Sequence, residues 1–330
     1  MPSGNDAPHD PLETLCIHPL HGSASVSVYD VRCRPHDKQR GPEERPLTNQ
    51  IVFPRRGVFE FETRGERVIA DANHVLFFNR GHGYHVAHPA GTGDDCTVFA
   101  FDDRWLRDAL DVIDPHWLDH VAGSDASVSD TAESALAQPF RFVHGLNDEC
   151  TFWAHERLRR AAQARHREAL AIEEAAAELL TAVFRSTYRS QGHFVKPARS
   201  STRASHSEIV RRTSLLLAST FGENASLDDV GRSVHASPFH LARLFRNELG
   251  LTIHQYRHRL RLRAALARIA DGETNLSELA LELGFSSHSH LTDAFRLAFG
   301  MSPAACRKTL DVRRFREMSR ILEVRPRPKT

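Results

Sequence analysis

Residues 226–250, SLDDVGRSVHASPFHLARLFRNELG, and residues 275–300, NLSELALELGFSSHSHLTDAFRLAFG, are two versions of one pattern. Leu227, Val230, Gly231, Val234, Ser237, Leu241, Phe245 and Gly250 in the first copy recur as Leu276, Leu279, Ala280, Leu283, Ser287, Leu291, Phe295 and Gly300 in the second. The offset is 49 residues before the turn and 50 after it, so the second turn carries one extra residue. Each copy reads as a supporting helix, a turn and a second helix. Ser226 with Asp229, and Asn275 with Glu278, are N-cap pairs that start the supporting helices. Ser237 followed by Pro238, and Ser287 in the second copy, start the second helices. Gly250 and Gly300 stand where a helix C-terminus favours a left-handed residue. Thr252 and Gln255 cap a third helix, Ile253–Ala270, that separates the two units and sets their spacing. Two helix-turn-helix units in one chain fit successive major grooves on one face of DNA, about 34 Å apart.

Working outward, the charge divides along the chain. Residues 199–330 hold 22 Lys and Arg against 13 Asp and Glu, whereas residues 1–198 hold 21 against 29. A basic C-terminal part beside an acidic N-terminal part puts the polyanion-binding surface at the C-terminus. The composition, 41% hydrophobic and 26% charged, is that of an ordinary soluble protein. No apolar run approaches the roughly 20 residues of a membrane helix, and Met1 to Pro11 lacks the pattern of a signal peptide. Cys16, Cys33, Cys96, Cys150 and Cys306 are odd in number and show no CxxC spacing, which favours a reducing cytoplasm over a disulfide framework.

Between Ser23 and Phe101 short β-like runs alternate with turns: Ala24–Val31, Asn49–Phe53, Gly57–Glu62, Arg67–Ala70, His74–Phe78, Tyr84–Ala87 and Thr97–Phe101. They predict a small barrel or sandwich. After Asp102 the pattern is helical. Arg104–Leu110 and Ser129–Ala137 read as short helices, and Cys150–Arg189 as a long helical stretch broken near Leu170. Ile172, Ala176, Leu179, Leu180, Val183 and Phe184 make an apolar helix face that fits either the chain's own core or a second subunit. Gln191–Ser205 has linker composition. Ser205 and Glu208 then read as a capping box opening a helix over Glu208–Thr220.

The C-terminal run resembles the DNA-binding domain of the AraC/XylS transcription regulators. Gly284–Ser286 (Gly-Phe-Ser), Phe299–Pro303 (Phe-Gly-x-Ser-Pro) and Arg307 carry the resemblance together with the doubled pattern. Gly231, Leu291 and Cys306 depart from it, standing where the family usually has Ala, Phe and an aromatic. The N-terminal strands are more loosely similar to the cupin-like regulatory barrel of that family, through PRRGVFEF at 54–61, ADANHVLFFNRG at 70–81 and HPAGTGDDCT at 88–97.

The expected fold is therefore α+β and multidomain. It comprises an arm at 1–20, a cupin-like β-barrel sensor over 21–140 and a helical connecting and dimerisation segment over 141–190. A linker at 191–205, an all-α double helix-turn-helix domain over 206–310 and a basic tail at 311–330 complete it. The exposed faces of the two reading helices name the DNA contacts: Phe239, His240, Arg243 and Arg246 in the first, and His288, Ser289, His290, Thr292, Asp293 and Arg296 in the second. Arg243 suits a bidentate contact to guanine and Arg246 a phosphate. Asp293, where the family often carries Arg, suits cytosine but repels phosphate, so the second reader is expected to bind less tightly or to choose other bases. Arg257, Arg259, Arg261 and Arg263 line the connecting helix, and some are expected at the DNA backbone.

If the barrel takes an organic effector, Phe59, Phe61, His74, Phe78, Tyr84 and His85 are its candidate lining. His74, His88 and Cys96 are candidates for a soft-metal site, set against ordinary turn and core roles. No cofactor is expected. The stretch Gly57–Glu66 lacks the histidines of a metal cupin enzyme, which leaves that alternative weak. The function these readings imply is a cytoplasmic, sequence-specific regulator of transcription, an activator by resemblance. Its expected partners are double-stranded promoter DNA, RNA polymerase, a small-molecule effector and a second copy of itself as a homodimer, with no membrane. The alternative is a regulator whose barrel serves only for dimerisation.

Overall fold

The computed structural model describes residues 15–35, 38–113, 138–163, 169–191 and 200–309. The N-terminal part is two sheets. One has six strands in the order β1 (Leu15–Gly22), β2 (Val26–Cys33), β8 (Asp94–Phe101), β3 (Asn49–Arg56), β6 (His74–Phe78), β9 (His144–Leu146). The other is β5 (Glu66–Ala70), β4 (Phe59–Thr63) and β7 (Tyr84–Ala87). All the pairings are antiparallel.

Strand alternation gives the larger sheet two buried faces. Val52, Leu76, Phe78 and Cys96 point between the sheets and meet Phe59, Phe61 and Ala70. Val26, Val28, Ile51, Phe53, Val75, Phe77, Phe99 and Phe101 point the other way, onto helices. Those helices are α1 (Asp103–Ile113), α2 (Glu149–Gln163) and α3 (Ala169–Gln191). Every residue of β6 is buried, because it faces apolar neighbours on both sides.

The apolar face of α3 settles one of the sequence's ambiguities. Ile172, Ala176, Leu179, Leu180, Val183 and Phe184 all pack in the core beneath the chain's own sheet. That stripe is spent within the chain and is not a dimer face. One further expectation changes here. The arm ends earlier than residue 20, since Leu15–Gly22 is an edge strand paired with β2. Its first five residues are all exposed, so it carries no alternation to betray it. β9, three residues long, also left no pattern.

The C-terminal part is α4 (Ser200–Thr220), α5 (Leu227–Val234), α6 (Pro238–Leu249), α7 (Ile253–Ala270), α8 (Leu276–Glu282), α9 (His288–Phe299) and α10 (Pro303–Thr309). The α4 helix starts at Ser200, within the expected linker, and Ser205 and Glu208 lie inside it rather than capping it. Nothing between Ser200 and Ala204 is Gly or Pro, so nothing there stops a helix. The helical stretch over 150–189, expected to break near Leu170, is two helices, one ending at Gln163 and one starting at Ala169. The helix expected over 129–137 and the tail 311–330 lie outside the described residues.

The two parts share a core. Val58, Ile69, Ala72 and Phe152 from the N-terminal part join Leu217, Leu244, Phe245, Tyr256, Leu266, Leu279, Phe295 and Phe299 in one apolar cluster. No helix among the described residues is long and apolar enough to cross a membrane.

Candidate nucleic-acid interface

Both helix-turn-helix units are built by the caps the sequence announces. Ser226 and Asp229 form a reciprocal capping box on α5, and Thr252 and Gln255 form another on α7. Ser237 accepts the His240 N–H at the start of α6, and Ser287 accepts the His290 N–H at the start of α9. Gly250 and Gly300 close α6 and α9 in the left-handed region, at φ +68° and +71°. The extra residue in the second turn changes its chemistry. The first turn passes through the left-handed region at His235 (φ 57°), the second at Gly284 (φ 77°). Gly284 is also sterically required: a Cβ there would lie 2.3 Å from the Gly222 carbonyl oxygen. At Gly231 a Cβ would lie 2.7 Å from the Ala236 carbonyl oxygen, so the shorter first turn presses closer to its supporting helix.

The inward faces of the readers are buried as expected: Leu241, Leu244 and Phe245 in α6, and Leu291 and Phe295 in α9. Outward in α6 stand Phe239, 81% exposed, with Arg243 and Arg246 exposed beside it. Among the described residues neither arginine has an ion-pair partner. His240 is half-buried, its ring 5.5 Å from that of His206.

The second reader is more self-engaged. His290 lies 3.0 Å from the Ser286 hydroxyl and edge-on to Phe285. Thr292 Oγ1 lies 3.4 Å from His288 Nε2. Asp293 and Arg296 are exposed and 3.7 Å apart. Ser289 is exposed. The set is on one surface, but part of its hydrogen-bonding capacity is turned inward and its one arginine is shadowed by a carboxylate.

The arginines of α7 are engaged by protein, not left free for DNA backbone. Arg257 donates to the Ala225 carbonyl at 2.7 Å, and Arg259 pairs with Glu149 at 2.7 Å. Arg261 donates to the carbonyls of Phe221, Glu223 and Gly284, tying the turn of the second unit to the segment that follows α4. Arg263 is wholly buried; it bonds Asn73 and the Asn147 carbonyl and lies 5.4 Å over the Phe152 ring. Burial pushes its guanidinium down to about 10, so it stays charged. The sequence placed these four residues on the connecting helix, but could not say what they meet there.

In the barrel the predicted lining residues separate. Phe61, Phe78 and Tyr84 converge, with ring centroids 4.7 and 4.8 Å from Phe78, and Phe59 joins their cluster. The cavity that Phe61, Phe78 and Tyr84 border is about 10 Å³, room for a single water. His85 instead contacts the Gly41 carbonyl at 3.0 Å, and His74 contacts Asp71 at 3.0 Å. The metal candidates separate too. His88 Nε2 lies 2.6 Å from Asp94 Oδ1 and the Cys96 thiol donates to Asp94 Oδ2 at 3.1 Å, while His74 is held by Asp71 and does not join them.

Residues 230–309 match the family model described as a helix-turn-helix domain. This region is an AraC-type helix-turn-helix domain. Relatives of the AraC-type domain include Probable transcriptional regulator LumQ of Photobacterium leiognathi, 47% identical over 60 residues, 18% of this chain and 24% of that protein. HTH-type transcriptional activator RhaS of Escherichia coli is 32% identical over 103 residues, 30% of this chain and 37% of that protein. The chain thus spans less than two fifths of the length of either. Among solved structures, a transcriptional regulator with an AraC-type DNA-binding domain from Chromobacterium violaceum is 28% identical, covering 34% of this chain and 97% of that one, with a TM-score of 0.29.

Proposed function

We propose that this chain is a sequence-specific transcription regulator whose β-barrel sets the orientation of two DNA-reading helices. Arg243 reads a base, Arg246 holds a phosphate, Phe239 and His240 pack along the groove, and α9 supplies a weaker second contact through His288, Ser289, His290, Thr292, Asp293 and Arg296. The connecting helix α7, 18 residues long and so about 27 Å, spaces the two readers.

The observation that carries this reading is how α7 is fixed. Tyr256 bonds Asp71, Arg263 bonds Asn73 and Asn147, and Arg259 pairs with Glu149, all residues of the N-terminal part. Asp271, the residue that ends α7, is held by Arg56 and Arg160. The helix that spaces the readers is therefore also the helix that the barrel grips. A signal that alters the grip alters which pair of grooves the readers reach. Activation, contact with RNA polymerase and homodimerisation belong to the same reading, the dimer using a surface other than the α3 stripe. The tight ring packing in the barrel favours a second version, in which the barrel holds no organic effector and acts as a positioning and dimerisation module.

Selection of bound duplexes from a random pool, at about physiological salt, tests the reading. Two short motifs about one helical turn apart are expected. A pool that stays unselected with the full chain, with and without candidate signals, overturns it.

A further inference from the structure

One end of the barrel gathers a set of donors that the reading above does not use. Cys33 ends β2 and Asp94 begins β8, and the two are directly opposite in the antiparallel register. Directly paired residues share a sheet face, as do residues two apart on a strand, so Cys33, Asp94 and Cys96 all face the barrel interior. His88, from the turn after β7, completes the group. One ligand atom each from Cys33, His88 and Asp94 lies within 4.8 Å of the others. His88 and Asp94 are buried and Cys33 is half-buried, so the group has an opening to solvent on the Cys33 side.

The backbone is shaped to bring these groups together. A Cβ on Gly93 would lie 2.1 Å from the Cys33 carbonyl oxygen, and a Cβ on Gly57 would lie 2.1 Å from the Gly93 carbonyl oxygen. Gly57 also has a φ of +77°. Two glycines thus let the segment before Asp94 lie flat against the end of β2. The Gly91 N–H donates to the His88 carbonyl at 2.8 Å and closes the turn that carries His88.

We propose that Cys33, His88 and Asp94 form a three-ligand site for a thiophilic divalent cation of the zinc class. A thiolate, an imidazole and a carboxylate are the donor types such a cation takes, and at tetrahedral zinc bond lengths their atoms sit about 3.3–3.8 Å apart. His88 Nε2 and Asp94 Oδ1, now 2.6 Å apart, separate to that spacing when the cation enters between them. Binding displaces the Cys33 thiol proton and any proton shared by His88 and Asp94, and releases them to solvent. One thiolate and one carboxylate then neutralise the cation. Cys96 donates to the second carboxylate oxygen and orients Asp94 as an outer-shell partner. The fourth position faces the half-exposed side and stays open to water or a small ligand. As the barrel's signal, the cation's role rests on the regulator reading; the site itself does not.

The purified full-length chain is titrated with Zn²⁺ against a chromophoric chelator, and with Co²⁺ in the near ultraviolet. One equivalent is expected to bind, with a sulfur-to-cobalt charge-transfer band. Cys33→Ser abolishes the band, His88→Gln abolishes stoichiometric uptake, and Cys96→Ser weakens uptake about 10–100-fold. Cys16→Ser, at an exposed cysteine on β1, leaves uptake unchanged, and circular dichroism checks that each variant is folded. No uptake by the folded chain overturns the site, as does an unchanged band in folded Cys33→Ser. A chain that binds the cation yet selects no DNA overturns the regulator reading and leaves the site standing.

Discussion

The Tyr256 hydroxyl donates to Asp71 Oδ2 at 2.5 Å, joining the helix that spaces the two readers to the turn between β5 and β6. Burial, and then the neighbouring Asp71 carboxylate, push the phenol well above its ordinary value, so it remains a donor at any physiological pH. Asp71 also accepts from the Asn73 N–H at 2.8 Å and faces His74 Nδ1 at 3.0 Å. Tyr256→Phe leaves one buried carboxylate oxygen without its partner. It is expected to cost about 1–3 kcal/mol, read as a lower denaturation midpoint. Because α7 loses a fixed point, the affinity of the full chain for its selected site also shifts. An unchanged affinity would rule out mechanical coupling through this contact.

Arg243 and Arg246 differ in role. Arg243→Ala is expected to cost about 1–3 kcal/mol at the selected site and to relax the preference at one base pair. Arg246→Ala weakens all sequences alike and reduces the salt dependence by roughly one unit of slope. Uniform losses from both would mean that α6 lies in the groove in another orientation.

Asp293 is exposed and shadows Arg296. Asp293→Asn removes the repulsion from phosphate and frees the guanidinium. Affinity for random duplex is expected to rise, with a steeper salt dependence, while preference at the second motif changes. Filter binding across a salt series measures both.

Gly284 meets two demands at once, a φ of +77° and a close approach to the Gly222 carbonyl. Gly284→Ala is expected to destabilise the domain by at least about 1–3 kcal/mol from backbone strain alone. The Arg261 guanidinium, which bonds the Gly284 carbonyl, must move as well. Thermal melts of wild type and variant decide this.

Acid sensitivity follows from two buried histidines. Burial pushes His155 down to about 3; burial, and then the charge of His74, do the same for His144. Below the ordinary histidine value of 6.5 the unfolded chain takes up protons that the native chain refuses. Stability is therefore retained above that pH and lost as pH falls from it towards 3. Among the described residues neither ring nitrogen of His155 has a hydrogen-bond partner, and the ring stacks on Phe53 at 4.4 Å. His155→Phe is expected to raise stability near pH 5 and flatten the slope. Denaturation midpoints at several pH values test it, and an unaltered slope would exclude His155 as a source.

The sequence by itself determined the doubled reading unit, because everything that specifies it is local. Ser226, Ser237, Thr252 and Ser287 cap the helices that follow them, Gly250 and Gly300 end helices that precede them, and the period of leucines and phenylalanines fixes the inward face. It also placed seven of the nine strands among the described residues, since β-branched and aromatic runs between turns are a local signal. Only the tertiary structure decided the rest, because it depends on which residues distant in sequence share a face. Strand alternation could not say which side of β6 faced the barrel, and both sides proved buried. The apolar stripe of α3 read equally as core or interface until the sheet was found beneath it. The arginines of α7 read as DNA contacts until Asn73, Asn147 and Glu149 were found opposite. Asp94 carried no signal, and Cys33 only that of a lone cysteine, until strand pairing set them side by side, with His88 folded against them.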